Sequence, residues 1–272
     1  MKKTRWTFVL RFELQSYFSN ALLENVLKSR REDVTTISIE PKIASMFATA
    51  AVEIWMRGVH SFLISASLTE ASPIWASVSG YYSSHYSVRA LAHLLGHFQL
   101  FRKKKIAHLQ IHRGKYLCLF DSKQGHDREH KFYWKAVKED SHFNNDPLFT
   151  MNEADSDVSD VGHRDRTNYA DHVFQLPNFR ALAVETFRSR IHFISQIPFD
   201  TPPIPIPRLS YFPDLESVQV VAYHRLVRFR QFLDEILGGG NRFWNVHRNP
   251  SWAREVIDFQ LTEQGGLSSL GN

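Results

Sequence analysis

Between Pro41 and Ala66 the chain keeps small and apolar residues in step with a helix. Ile43, Met46, Phe47, Ala50, Ala51, Ile54 and Trp55 recur at three- and four-residue intervals or beside them. Pro41 suits a first helical turn, where its missing N–H is no loss, and Gly58 is the one weak point. Thr69 to Pro73 breaks the pattern, with Ser72 before Pro73 as a credible N-cap. A second helix is then expected from about Ile74 to Leu100. Two long helices joined by so short a turn lie antiparallel, and that hairpin is the start of a bundle.

The rest of the chain fills in around it. TRWTFVLRFE, residues 5–14, reads as a strand followed by a helix over 15–31, so residues 1–39 form an N-terminal strand–helix segment. KIAHLQIHRGKYLCLFD alternates around His112, Arg113 and Gly114, which predicts a β-hairpin inserted near 106–120. Residues 141–160 read as a long loop. Its EADSDVSD run lacks the glycine and distal glutamate of a calcium loop, and is taken as solvated loop with a helix cap. A helix from Pro177 and Asn178 carries Leu182, Val184, Phe187, Ile191, Ile194 and Ser195 on one broad stripe. PFDTPPIPIPRL supplies a proline-rich connector at 198–209, which marks the end of a bundle spanning 40–197. Beyond it, residues 210–272 form a small helical extension, with a helix from about Leu215 to Leu237 stopped by Gly238, Gly239 and Gly240.

Composition excludes several classes. With 272 residues, 43% of them hydrophobic, the chain can bury a real core. Cys118 is the only cysteine, so disulfides within the chain and cysteine-based zinc sites are excluded, and a reducing, cytoplasmic setting is expected. Arg11 and Glu13 interrupt the apolar start too early for a signal peptide, and no membrane span is expected. The net charge of +5 hides segregation. Residues 102–138 carry eleven Lys/Arg against Asp121, Asp127 and Glu129, whereas residues 139–171 carry nine acids against Arg164 and Arg166. Such segregation attracts a polyanion or holds two parts of a protein together. The RKKK run at 102–105 serves a helix C-terminus or an RNA contact equally well.

Two polar stretches carry the chemistry: GYYSSHYSVRALAHLLG at 80–96 and RDRTNYADH at 164–172. In this order, over roughly residues 40–197, they resemble the HEPN superfamily, helical bundles common in RNA-cleaving toxins and phage-defence proteins. The resemblance implies a mainly α, HEPN-like bundle with the β-hairpin as an insertion. It also implies a metal-independent endoribonuclease, without cofactor, built from an arginine and a histidine with four to six residues between them and completed as a homodimer. The alternative is a non-catalytic subunit that binds RNA, nucleotide or a partner protein such as an antitoxin.

Spacing alone does not select the pair, because about three such pairs arise by chance in a chain this rich in Arg and His. Three occur: Arg102–His108, Arg166–His172 and Arg242–His247. Only Arg166–His172 sits ahead of the bundle's closing helix, where the family places its motif. Histidine titrates near neutrality and serves as acid or base, and arginine offers phosphate a planar, permanently charged fork. The family pattern Arg-Asn-x-Ala-Asp-Tyr puts Thr167 at its arginine and His172 at its tyrosine, with Arg166 one residue early. On a regular helix Arg166 and His172 lie about 120° apart. Arg164, Asn168 and Asp171 share one face with His172 at its margin, and are candidates to line the RNA cleft. The resemblance adds Arg89 and His93 to that cleft.

His85, Arg89, His93 and His97 recur every four residues. Without the glutamate of a zinc-protease motif, the row reads as groove lining, and no metal is assigned to it. In NRFWNVHRNPSWARE, at 241–255, arginines interleave with Phe243, Trp244 and Trp252, which suits base stacking, a packed appendage or a partner surface.

Overall fold

The computed structural model describes residues 36–39, 41–100, 105–112, 115–122, 129–150, 184–196 and 215–237. In chain order these form β1 (Thr36–Ile39), α1 (Pro41–Ser67), α2 (Pro73–Leu94), β2 (His97–Leu100), β3 (Lys105–His112), β4 (Lys115–Ser122), α3 (Glu129–Lys138), α4 (Pro147–Thr150), α5 (Val184–Gln196) and α6 (Leu215–Leu237). Helix dominates, and the described part of the chain is mainly α. The expected strand and helix over 5–31, the 164–172 motif, the connector and everything after Leu237 lie outside the described residues.

Helices α1 and α2 pair along their length through small residues. The turn between them is closed by the chain itself: Leu68 N donates to Ile64 O, Ser72 N to Leu68 O and Ala76 N to Ser72 O. Ser72 holds the N-cap position with Pro73 behind it, but its hydroxyl makes no capping bond. Helix α2 stops at Leu94, short of the expected Leu100. Gly96 takes a left-handed φ of 86°, which favours glycine, and its N–H closes on His93 O. The apolar run that seemed to prolong the helix instead enters β2, where Phe98 is buried.

Helix α6, set apart on sequence as a C-terminal extension, packs in the same core. Val220, Ala222, Tyr223, Leu226, Phe229 and Leu233 join the buried cluster of α1 and α2. Trp55 donates its Nε1–H to Leu226 O at 3.0 Å and stacks on Phe229, with ring centres 5.7 Å apart. The proline-rich stretch interrupts the local pattern but says nothing about where the next helix docks.

Gly80 marks the closest approach in this core. A methyl group there would lie 2.8 Å from Val218 Cγ1 and 3.2 Å from Ser65 Oγ. Valine is stiff at χ1 and yields little. Gly80→Ala is therefore expected to destabilise the fold by about 1–2 kcal/mol, although the same change in an open helix gains about 1 kcal/mol. Urea denaturation checks this, and Val218→Ala in the same chain should recover part of the loss.

The alternating stretch around 106–120 lies in a four-stranded antiparallel sheet of order β1-β4-β3-β2. His112 stands opposite Lys115 in the β3–β4 pair, and β1 and β2 cover its two edges. Cys118 on β4 is buried, and burial pushes its thiol up to about 12, so it is an inert core residue.

Of the expected loop over 141–160, residues 141–150 turn and enter α4 with Phe143, Leu148 and Phe149 buried, and 151–160 lie outside the described residues. Phe143 meets Phe149 and Phe232 edge-on at 5.3 and 4.9 Å, and all three rings are buried. Asp146 caps α4 by accepting from Leu148 N–H at 3.0 Å and holds Arg228 of α6 at 2.9 Å. Arg225, fully buried on α6, donates through Nε and Nη2 to Leu148 O at 2.9 and 2.7 Å. Its guanidinium lies 4.5 Å from the centre of the Trp134 ring of α3. No helix among the described residues is long and apolar enough to cross a membrane.

Candidate functional site

Helix α2 is walled in on nearly every side. From Trp75 to Arg89 the positions that keep solvent contact are Trp75, Ser79, Tyr82, Tyr86 and Arg89. Their spacing of four, three, four and three residues places them on one face. The small residues Ala76, Ser77, Gly80, Ser83, Ser84 and Ser87 take the other sides, where α1 and α6 approach. Trp75 is 60% exposed and Tyr82 36%. The Tyr82 and Tyr86 rings lie 6.3 Å apart, tilted by 33°, while neighbouring Tyr81 turns inward and is buried. Arg89 ends the stripe, its guanidinium 5.3 Å from the centre of the Tyr133 ring.

The four-residue row of His85, Arg89, His93 and His97 does not hold together. His85 is buried and stacks on Tyr81 at 6.4 Å. His97 has left the helix for β2, where it meets Phe132 edge-on. Among the described residues no three His, Cys, Asp or Glu side chains gather where they could hold a metal ion.

His93 has no solvent contact, so it does not line an open cleft. Its ring sits between Phe98, edge-on at 5.0 Å, and Tyr133 at 5.5 Å. Nδ1 lies 2.8 Å from Arg89 O; a carbonyl only accepts, so Nδ1 carries the proton and Nε2 is left as a buried lone pair without a partner. Burial first, and then the adjacent Arg89 charge, hold its pKa down at about 3. The unfolded chain takes up this proton below about pH 6.5, whereas the folded chain resists it until near 3. Stability is thus present above pH 6.5 and falls as the solution is acidified, with His93 alone costing about 2 kcal/mol by pH 5. His93→Asn, which keeps a donor near the Nδ1 position, is expected to remove that part of the acid sensitivity. Denaturant midpoints at pH 7.5 and 5 would show it.

A buried polar node that the sequence did not reveal lies at the other end of α2. Gln219 of α6 points its amide nitrogen at Ser65 O, Ser65 Oγ and Thr69 Oγ1, at 3.0–3.1 Å. Its Oε1 accepts from Arg190 Nε of α5 at 2.8 Å, and Ser65 Oγ donates to Ala76 O at 2.6 Å. The node fastens α5 and α6 to the α1–α2 turn. Exposed glutamines on helices look the same in sequence, so no pattern marks it.

Of the seven residues proposed from sequence, Arg89 and His93 lie on α2 as described. Arg164, Arg166, Asn168, Asp171 and His172 lie outside the described residues. The sequence reading missed Trp75 as part of the surface. Its place became visible only once the small residues were seen to face inward. No known protein family, curated protein or solved structure matches this chain.

Proposed function

We propose that this protein acts on RNA as a HEPN-type, metal-independent endoribonuclease, a toxin or anti-phage effector working in the cytoplasm as a homodimer. The observation that carries the reading is the antiparallel α1–α2 pair, joined in one core by α6. Its second helix presents Trp75 and Tyr82 to solvent, with Tyr86 and Arg89 half-buried in the same row, and contains no carboxylate. In this reading His172 takes the proton from a ribose 2′-hydroxyl as the oxygen attacks phosphorus, and returns it to the departing 5′-oxygen. Arg166, or Arg164 beside it, offsets the charge that builds on the phosphate oxygens. Asn168 and Asp171 line or brace the same cleft. The test is cleavage of an unstructured RNA in excess EDTA. Products ending in a cyclic or 3′ phosphate, with undiminished rate, are expected; loss of cleavage with EDTA would overturn the metal-independent chemistry.

One observation favours a second reading, a non-catalytic subunit that binds RNA, nucleotide or a protein partner. His93, the histidine of the α2 motif nearest Arg89, is locked neutral in the core and offers no acid–base group at the surface. That reading predicts RNA binding with no cleavage, in wild type and His172→Ala alike.

A further inference from the structure

We propose that the solvent face of α2 is a binding track for an RNA strand whose bases are unpaired, and that it selects unpaired RNA over duplex. The inference extends the RNA-directed reading but rests on residues outside the proposed catalytic pair, so binding and cleavage can fail separately.

The shape of the face comes first. Trp75 to Arg89 spans about 21 Å of helix at 1.5 Å per residue. At a stacking rise of 3.4 Å that length accommodates roughly four to six nucleotides. Large aromatic side chains are expensive to leave in water, and Trp75 and Tyr82 are exposed along this track with half-buried Tyr86 between Tyr82 and Arg89. Every base has a flat apolar face that rings of this kind can cover, whereas a duplex keeps those faces stacked inside.

Charge then selects the occupant. From residue 41 to residue 94 the only carboxylates are Glu53 and Glu70, and α2 has none. One cation stands beside the rings and another, Arg89, at the end of the row. Arg57 of α1 is exposed and adjoins Gly58, where an added Cβ would lie 3.4 Å from Tyr86 Cβ. A row of rings with Arg57 beside it and Arg89 at its end fits bases on the rings and phosphates at the cations. A helix without carboxylates, with Arg57 and Arg89 beside its rings, is the wrong complement for a basic partner, and an acidic protein is the competing occupant that the experiment must separate.

The experiment uses the full chain carrying His172→Ala, so that cleavage does not interfere, with a fluorescein-labelled 12-nucleotide unstructured RNA and a 12-base-pair RNA duplex as probes. Fluorescence anisotropy is expected to show at least tenfold tighter binding of the single strand. Tyr82→Ala with Tyr86→Ala should weaken it about tenfold or more, whereas Tyr82→Phe with Tyr86→Phe, which keeps the rings, should stay within about twofold. Arg57→Ala should weaken binding and lower the slope against log salt by about one. Circular dichroism confirms that each variant folds. Equal affinity for strand and duplex, or affinity indifferent to the tyrosine pair, would overturn the track. Failure of the wild-type face to bind either RNA would also overturn it and leave the surface to a protein partner. Binding as described by a chain whose wild type never cleaves RNA would sink the nuclease and leave the track standing.

Discussion

Arg225→Ala is expected to destabilise the protein by about 3–5 kcal/mol, among the largest effects of any single change in the described core. Three losses coincide. The Leu148 carbonyl loses two charge-assisted donors in a place water does not reach, the Trp134 ring loses the cation over its face, and a cavity opens where a fully buried side chain had been. The consequence reaches past one residue, because Arg225 joins α6 to both α3 and α4. Arg225→Lys keeps the charge but cannot reproduce the planar fork, and is expected to recover less than half of the loss. In thermal denaturation the alanine variant should melt roughly 8–15 °C lower. A shift of only 1–2 °C would mean that the clamp contributes little.

His172→Ala is expected to reduce RNA cleavage by about 10²–10⁴-fold, the usual worth of a positioned acid–base group, while leaving folding and strand binding intact. Arg166→Ala should reduce cleavage comparably through the phosphate, and comparing it with Arg164→Ala tells which arginine serves. The two kinds of prediction read different parts of the molecule. Arg225 is a stability residue whose loss lowers everything together, whereas His172 should separate turnover from binding.

The sequence disclosed the parts of the fold whose causes are local. Pro41 starts α1, Ser72 and Pro73 start α2, and the period over 215–237 matches α6 to the residue. It misjudged what depends on contacts far along the chain. The run from Leu94 to Leu100 stays apolar whether it is helix or strand, and the left-handed turn at Gly96 and the pairing of β2 with β3 decide the matter. Gln219, Arg225 and Arg230 are polar residues on a helix whose spacing does not mark them as core, yet all three are buried. For the candidate site the limit was of another kind. A helix buried on most of its circumference has no dominant apolar face, so Trp75, Tyr82 and Tyr86 stand out only when the opposite sides are seen to be filled. The resemblance placed His93 at the cleft, and its four-residue spacing from Arg89 suggested groove lining. The helix's depth in the core, which spacing does not encode, made it a structural histidine.

We propose that this protein cleaves RNA through His172. The most direct measurement is total RNA from cells after induced expression of wild type and of His172→Ala at equal protein level. Fragmented RNA and arrested growth with the wild type, and intact RNA with the variant, are the predicted result. Intact RNA in both, or fragmentation that persists without His172, would contradict it.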